Sequence, residues 1–597
     1  MHTKKNITFL LLLFFFILTS RLYKISSVPS VISHDENYYP VQAKTIAVAF
    51  TDPSGTWNPL SLTAANPLYA ELPGLIMAPA SAFSNPLLAA RFTHALLGSL
   101  LVLVLAGIAH TVTKNRIFFL SVYLIGFLNP WLFQFSRMNF DALFSLFFYF
   151  TGIFLFLQKS PQIKLLSVFF FLVGFFQYQG LKIVLLPLTV VLLLFEYAWQ
   201  SSIKKRSISN FYPNIALGLG VVLVTVYFLL TLSGQSASSR ASDTIFSDPT
   251  IAAQVQVQRQ QTIVNPVVQL FNNKFTVVGQ TFLSNYLASF NINQLFNTGE
   301  SLRNPFSVWS KGMFYPLDLV LIVVGFFALY SVKKTRPFAI MLLLLILIAP
   351  LPSAINAKGL WIMFRSSLYV PVFVLLAGAG VSYLITKHKL IALLVMTIYM
   401  LFVSSFFYEY FFRYPTIGTS GNYFSERIVA SYLKRNAGLS TVVLVDEKQF
   451  VYNALLHFNQ LISPATLGEI KKSYQSDTYS IGSISIDNRC VSTTEILSGT
   501  TVIAAAHIPF CVESHSPIVE VAPFTSAIQS LIDSGEQFII YNDPLCSSYQ
   551  LGSSSHVTTD VFAIESLSDK EFCENFFAQT SVSKRIIPTV MQSDLVI

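Results

Sequence analysis

The chain has 597 residues, 53% of them hydrophobic and only 11% charged, with 55 phenylalanines and a mean hydropathy of +0.58. Soluble domains carry about 25% charged residues, so this composition excludes an ordinary soluble protein and points to a chain that crosses a membrane several times. The net charge of +9 lies mostly in short basic turns, which suits anionic lipid and gives no footprint for nucleic acid.

A helix needs roughly 20 apolar residues to cross the hydrocarbon core, and about eleven such segments are predicted. With the start MHTKK in the cytoplasm, the first covers 7–27. A cleaved signal peptide is its alternative, although no small-x-small site follows the apolar run. An external loop, 28–86, comes next. Spans at 87–112, 141–158, 181–199, 213–233, 316–332, 367–386 and 389–408 then set the order of the basic turns. Lys114 and Arg116, Lys159 and Lys164, Lys204 to Arg206, Lys333 to Arg336, and Lys387 to Lys389 all fall inside, as the positive-inside rule requires. A second long external loop covers 234–315. Its SGQSASSRAS and QVQVQRQQ stretches predict a lid that orders when substrate binds.

Residues 409–597 contain no run long enough to span and are expected to form an extracytoplasmic α/β domain. TVVLV (441–445), TVIAAA (501–506) and QFIIY (537–541) read as buried strands, and FVYNALLHF (450–458) and TSAIQSLIDSG (525–535) as helices. All four cysteines, Cys490, Cys511, Cys546 and Cys573, lie here, which predicts one or two disulfides with the pairing open. Eleven spans and an inside start put this domain outside the plasma membrane. The sequence has no GxxxxGK[ST], no GxGxxG after a strand and no CxxC, so neither nucleotide-driven chemistry nor a zinc site is indicated.

The stretch SHDENYYPVQAK, Ser33 to Lys44, sets the acidic pair Asp35 and Glu36 where the first span leaves the bilayer. A loop acid is ordinarily just solvated. Here the same loop continues with WNPLS (57–61) and NPLYAELPGLIMAP (66–79), proline-broken apolar pieces too short to span, which predict interfacial helices.

The acidic pair, the proline-broken segment, the RFTHALLG start of span two and NPWLFQFSRMNFDALFSLFF (129–148) together resemble the membrane glycosyltransferases of the dolichyl-phosphate-mannose protein mannosyltransferase and aminoarabinose transferase superfamily, the GT-C fold. GFFQYQGLKIVLLPL (174–188), NYLASFNINQLFNTGESLRN (285–304) and IAPLPSAINAKGLWIMFRS (348–366) look like later segments of its bacterial and archaeal members. The likeness covers about 30–385 in order. It implies a GT-C membrane domain over 1–408, with the domain 409–597 outside it.

The resemblance implies inverting transfer of a sugar from a polyprenyl-phosphate donor to an envelope glycan, lipid or protein at the outer face. Asp35 would be the base, and Glu36 would orient it, bind sugar hydroxyls or help hold a divalent cation, the one candidate cofactor. Cations are then needed at the departing lipid phosphate. Arg137, Lys182, Arg303, Lys311, Lys358 and Arg365 lie at outer span ends, where Lys and Arg are disfavoured unless a site requires them. Arg365 and Arg137 lead, then Lys182 and Arg303, because a guanidinium can hold phosphate with two parallel hydrogen bonds. Asp141, four residues after Arg137, would share a helix face with it. Tyr38, Tyr39, Trp57 and Trp361 are candidates for stacking on sugar or acceptor, against the alternative of an interfacial aromatic belt.

The chain lacks the WWDYG stretch of the oligosaccharyltransferase branch. Two other classes compete with the enzyme: a flippase for a lipid-linked sugar, and an inactive scaffold. A flippase needs charges deep in several spans, and the predicted span centres are almost free of them.

Overall fold

The structure, a computed structural model, describes residues 2–30, 32–57, 69–202, 211–231, 243–263, 267–300, 306, 308, 311–357, 362–418, 423–511, 524–529, 531, 535–551 and 562–580. The chain forms two compact units. One comprises Met1–Tyr23, Leu62–Pro73 and Phe92–Phe407; the other comprises Lys24–Ser61, Gly74–Arg91 and Tyr408–Ile597. The expected domain 1–408 held the whole first external loop. Instead, Lys24–Ser61 and Gly74–Arg91, which take in most of that loop, fall in one unit with the region after Tyr408.

The first unit is built of apolar helices. Among the described residues, five helical segments are long and apolar enough to cross a membrane: Pro86–Thr113, Gly180–Gln200, Arg336–Ala354, Tyr369–Lys387 and Lys389–Ile417. Six further apolar helical stretches measure 10–17 residues, such as Arg116–Leu128, Asp141–Phe156 and Pro316–Ser331, and two of them belong to the 21-residue helices His2–Leu22 and Phe211–Thr231. Five helices of spanning length among the described residues leave the expected count of about eleven spans unconfirmed.

Helices Pro316–Ser331 and Tyr369–Lys387 approach backbone to backbone, because Gly325 and Gly380 lie at their contact. A Cβ on Gly325 would collide with the Leu376 carbonyl, and one on Gly380 with that of Leu321. Small residues let membrane helices pack closely where the hydrophobic effect gives no drive.

Three expectations change in this unit. The loop 234–315 carries helices Thr250–Gln260 and Lys274–Ala288, the second started by an Asn273 capping box; its polar composition hid regular structure. Arg137 does not share a helix with Asp141. It sits between helix Pro130–Phe135 and helix Asp141–Phe156, where Asn139 and Phe140 are non-helical. Lys164, expected in a cytoplasmic turn, is buried in helix Pro161–Phe175 and paired with Glu196 at 2.6 Å.

The second unit is an α/β fold on a seven-stranded sheet of order β2-β3-β1-β5-β8-β7-β9. The strands are β1 (Thr441–Leu444), β2 (Tyr479–Ile481), β3 (Ile484–Asp487), β5 (Thr501–Ala505), β7 (Ser526–Gln529), β8 (Glu536–Tyr541) and β9 (Phe577–Gln579); β4 (Val491–Ser492) and β6 (Phe510–Cys511) pair separately. β1 lies parallel between β3 and β5, and the other neighbours in the large sheet are antiparallel. β1, β5 and β8 are the three strands read from sequence, and Lys448–Phe458 is the expected helix. The segment 525–535 is the exception. Ser526–Gln529 forms β7 in register with β8, Ala527 opposite Ile539; a short apolar run has no period of its own to separate strand from helix.

The core on one face of the sheet joins Val443, Ile503 and Ile540 to Tyr432, Leu455 and Phe572, and reaches Val41 of the first external loop. Cys546 and Cys573 form a disulfide within this unit, and Cys490 is also disulfide-bonded.

Candidate functional site

The acidic pair opens the helix His34–Ala49. Ser33 is its N-cap and accepts from the Glu36 amide at 3.0 Å, while Glu36 Oε2 accepts from the Ser33 amide at 3.1 Å. This reciprocal capping box satisfies two backbone donors that a helix start otherwise leaves open. Glu36 is also held by Arg91, Nε to Oε1 at 2.6 Å and Nη2 to Oε2 at 3.2 Å. Both side chains are almost fully buried. Arg91 Nη1 further donates to the carbonyls of Ile25 and Pro29, each at 2.9 Å. Glu36 is thus a structural anchor whose oxygens are engaged. Asp35 is only half-buried in the same first turn, where exposed amides and the helix dipole stabilise negative charge.

Beside Asp35 stands Tyr423, at the residue before helix Phe424–Arg435 and with a left-handed backbone, φ 57°. That conformation is rare for an aromatic residue and concentrates at functional sites. Its ring centre lies 6.2 Å from His34 and 4.8 Å from Phe450, and His34 is 5.0 Å from Phe450. Burial raises the Tyr423 phenol pKa, reinforced by the charges of Glu447, Glu426 and Asp35. Burial also raises the Glu426 carboxyl, with Glu447 adding to the effect against hydrogen bonds from its own amide and Ser425. The region after Tyr408 therefore brings a tyrosine within electrostatic reach of Asp35, and two carboxylates within reach of that tyrosine. None of these was read from the sequence, since sequence distance conceals them and no local motif marks them.

The expected sugar-contacting aromatics lie inside the fold. Tyr38 is 3% exposed and Tyr39 0%, and their rings meet edge to face at 5.7 Å. Burial, then Asp52, raises the Tyr38 phenol pKa. Trp57 is 7% exposed and closes a turn in which its amide donates to Asp52 Oδ1 at 3.0 Å and its carbonyl accepts from Thr51 at 2.7 Å. Buried rings fill space and cannot offer an open face to sugar. Trp361 lies outside the described residues.

The expected phosphate-binding cations divide by their surroundings in the first unit. Lys182 is buried and ion-paired with Glu71, its ammonium 5.1 Å from the Phe175 ring. Arg137 is fully buried and donates to the Arg21 carbonyl at 2.6 Å and that of Ser20 at 3.3 Å. Lys311 donates to Ser405 at 2.9 Å. Arg365 ends the short helix Ile362–Arg365 and is half-buried. Arg303 and Lys358 lie outside the described residues. Glu71 and Arg91 were passed over in the sequence, although each is an ionisable residue within an apolar stretch, a signal that marks sites or buried pairs.

Among the described residues no group of three or more His, Cys, Asp or Glu could hold a metal ion. Both Glu36 oxygens are engaged by Arg91 and Ser33.

No protein-family model and no curated protein matches the chain. Solved structures do. The archaeal oligosaccharyltransferase AglB from Archaeoglobus fulgidus, in complex with an inhibitory peptide and a dolichol-phosphate, is similar at 10% identity and a TM-score of 0.42 over 82% of this chain and 69% of that one. The oligosaccharyltransferase of the same organism tethered to an acceptor peptide is similar at 12% identity and a TM-score of 0.41, over 74% of this chain and 63% of that one. ArnT from Cupriavidus metallidurans bound to undecaprenyl phosphate is similar at 9% identity and a TM-score of 0.39, over 90% of this chain and 98% of that one.

Proposed function

We propose that the protein is a plasma-membrane glycosyltransferase that moves a sugar from a polyprenyl-phosphate donor, with inversion, onto a glycan, lipid or protein acceptor at the outer face. The observation that carries this reading is the division of labour within the acidic pair. Glu36 fixes the helix start through Arg91 and Ser33, and Asp35 stands next to it, half-exposed, on that fixed frame.

In this mechanism Asp35 takes the proton of the acceptor hydroxyl or amine as that atom attacks the anomeric carbon. The bond from that carbon to the phosphate oxygen breaks on the opposite face. The lipid phosphate leaves with its electron pair, and a cation stabilises the charge. Fixing Asp35 matters because a general base must lie within hydrogen-bond reach of the proton it takes. A lipid-tethered donor presents its sugar at the interface, which explains a base at the end of the first span. The topology that goes with this reading has a cytoplasmic N-terminus and an extracytoplasmic C-terminal domain.

The test is transfer of labelled sugar from polyprenyl-phosphate donors in membranes containing the intact protein or an equally expressed Asp35→Asn variant. Incorporation lost in the variant alone supports the assignment. Equal incorporation removes Asp35 from the chemistry.

A further inference from the structure

The first unit carries an apolar groove that the chemistry above does not use. It lies between helices Arg116–Leu128, Tyr369–Lys387 and Lys389–Tyr408, encloses about 280 Å³ and follows the first of them from Ile117 to Leu128. Ile117, Leu120 and Leu124 are 37–40% exposed, so the groove is open along that side, whereas Leu128, Val381 and Tyr399 are buried. Its far end is closed. There the Tyr399 ring packs edge to face on Tyr315 at 5.1 Å, and the Tyr315 hydroxyl donates to the Leu128 carbonyl at 2.9 Å.

The near end is basic. A Cβ on Gly378 would meet Val122, and one on Gly126 would meet Val374, so the residue numbers of the two helices run in opposite senses and the helices are antiparallel. The start of Arg116–Leu128 therefore lies at the same end as the finish of Tyr369–Lys387, where Lys389 opens the third wall. Lys114, Arg116, Lys387 and Lys389 stand at that end, all exposed, and the three helices contain no Asp or Glu. Cations without an acid, set at the mouth of an apolar groove, are complementary to an anionic headgroup carried on a hydrocarbon chain.

Length decides which chain. From Ile117 to Leu128 the helix climbs about 16 Å at 1.5 Å per residue, close to half of the roughly 30 Å hydrocarbon core. The groove thus runs the depth of one leaflet and stops at Tyr399. A fatty acyl chain matches that depth, and a polyprenyl chain would overrun the closed end.

We propose that the groove binds one anionic glycerophospholipid of the surrounding bilayer, with an acyl chain along Leu120 and Leu124 and its phosphate on Arg116 and Lys389. The chain supplies contact atoms to walls that otherwise lack them on one side, and so joins the three helices. This site is independent of the function proposed above.

The experiment is native mass spectrometry of the full-length protein released from nanodiscs of phosphatidylcholine, phosphatidylglycerol and undecaprenyl phosphate in equal amounts. One phosphatidylglycerol is expected to stay on each chain in preference to the other two lipids. Arg116→Gln/Lys389→Gln should weaken its retention about thirtyfold, the effect of two surface cations on an anionic lipid. Lys333→Gln/Lys334→Gln, which removes the same charge from exposed positions of another turn, should leave it unchanged. Leu124→Trp, which fills the groove and keeps every charge, should displace the lipid, and Leu229→Trp, a 59% exposed position on another helix, should not. If one groove variant does not fold, the other decides. Equal retention of phosphatidylcholine, preference for undecaprenyl phosphate, equal loss in the control variants, or retention that survives a folded groove variant overturns the proposal. A lipid-free dimer that Leu124→Trp breaks overturns it too, by giving the groove to a second copy of the chain.

Discussion

Arg91 grips both carboxylate oxygens of Glu36, at 2.6 and 3.2 Å, and with its remaining nitrogen ties down the carbonyls of Ile25 and Pro29. One guanidinium thereby fixes the incoming chain and the start of the helix that presents Asp35.

Removing one partner of this buried pair leaves the other charge uncompensated, which typically costs 3–5 kcal/mol. Arg91→Met should lower the thermal unfolding midpoint strongly, and the double variant Arg91→Met/Glu36→Gln should recover part of the loss. Chemical or thermal unfolding of the three proteins measures the coupling. Additive effects would mean the pair does not act as a unit.

Asp35→Asn should behave in the opposite way. General-base assistance contributes roughly 10²–10⁴ in rate, so sugar transfer should drop by that order while the unfolding midpoint stays near that of the intact protein. Ser33→Ala, which breaks the capping box, should cost about 1 kcal/mol and reduce transfer modestly through poorer placement of Asp35.

Acid should destabilise the second unit through His457. Its folded pKa is about 4 against an ordinary 6.5, caused first by burial and then by the Arg427 charge, with Glu565 opposing. Between these values the unfolded chain binds more protons than the folded one. Stability therefore rises with pH across this window and is lost as pH falls from 6.5 towards 4, by up to about 3 kcal/mol. Unfolding midpoints at several pH values should show this slope, and His457→Phe should flatten it.

Gly325→Ala places a methyl group against the Leu376 carbonyl. Helices Pro316–Ser331 and Tyr369–Lys387 would have to separate, at a cost of order 1–3 kcal/mol. Gly218→Ala, whose Cβ meets nothing within 4 Å, is the control and should be neutral or slightly stabilising in a detergent thermal-shift assay.

Replacing Cys546 and Cys573 with alanine should cost about 2–4 kcal/mol. Their disulfide joins the segment after β8 to the C-terminal helix Asp569–Phe576, so protease sensitivity should rise first there.

What the sequence determined by itself is what depends on local composition. Apolar runs bounded by Lys and Arg turns specify a membrane-embedded helical region, since lipid forces backbone groups to pair within a helix. β1, β5 and β8 were readable because each is a short, strongly apolar run between polar turns. Asp35 and Glu36 were readable as candidates by position. Their different roles were decided only in the tertiary structure, because Arg91 is 55 residues away from Glu36 and nothing local says which carboxylate it takes. Long-range pairing likewise put Lys182 on Glu71, turned 526–529 into a strand on β8, and brought Asp35 within electrostatic reach of Tyr423. Periodicity and charge bias report the environment of each segment. The partners of a buried charge are set by which segments pack together, and that is a property of the whole fold.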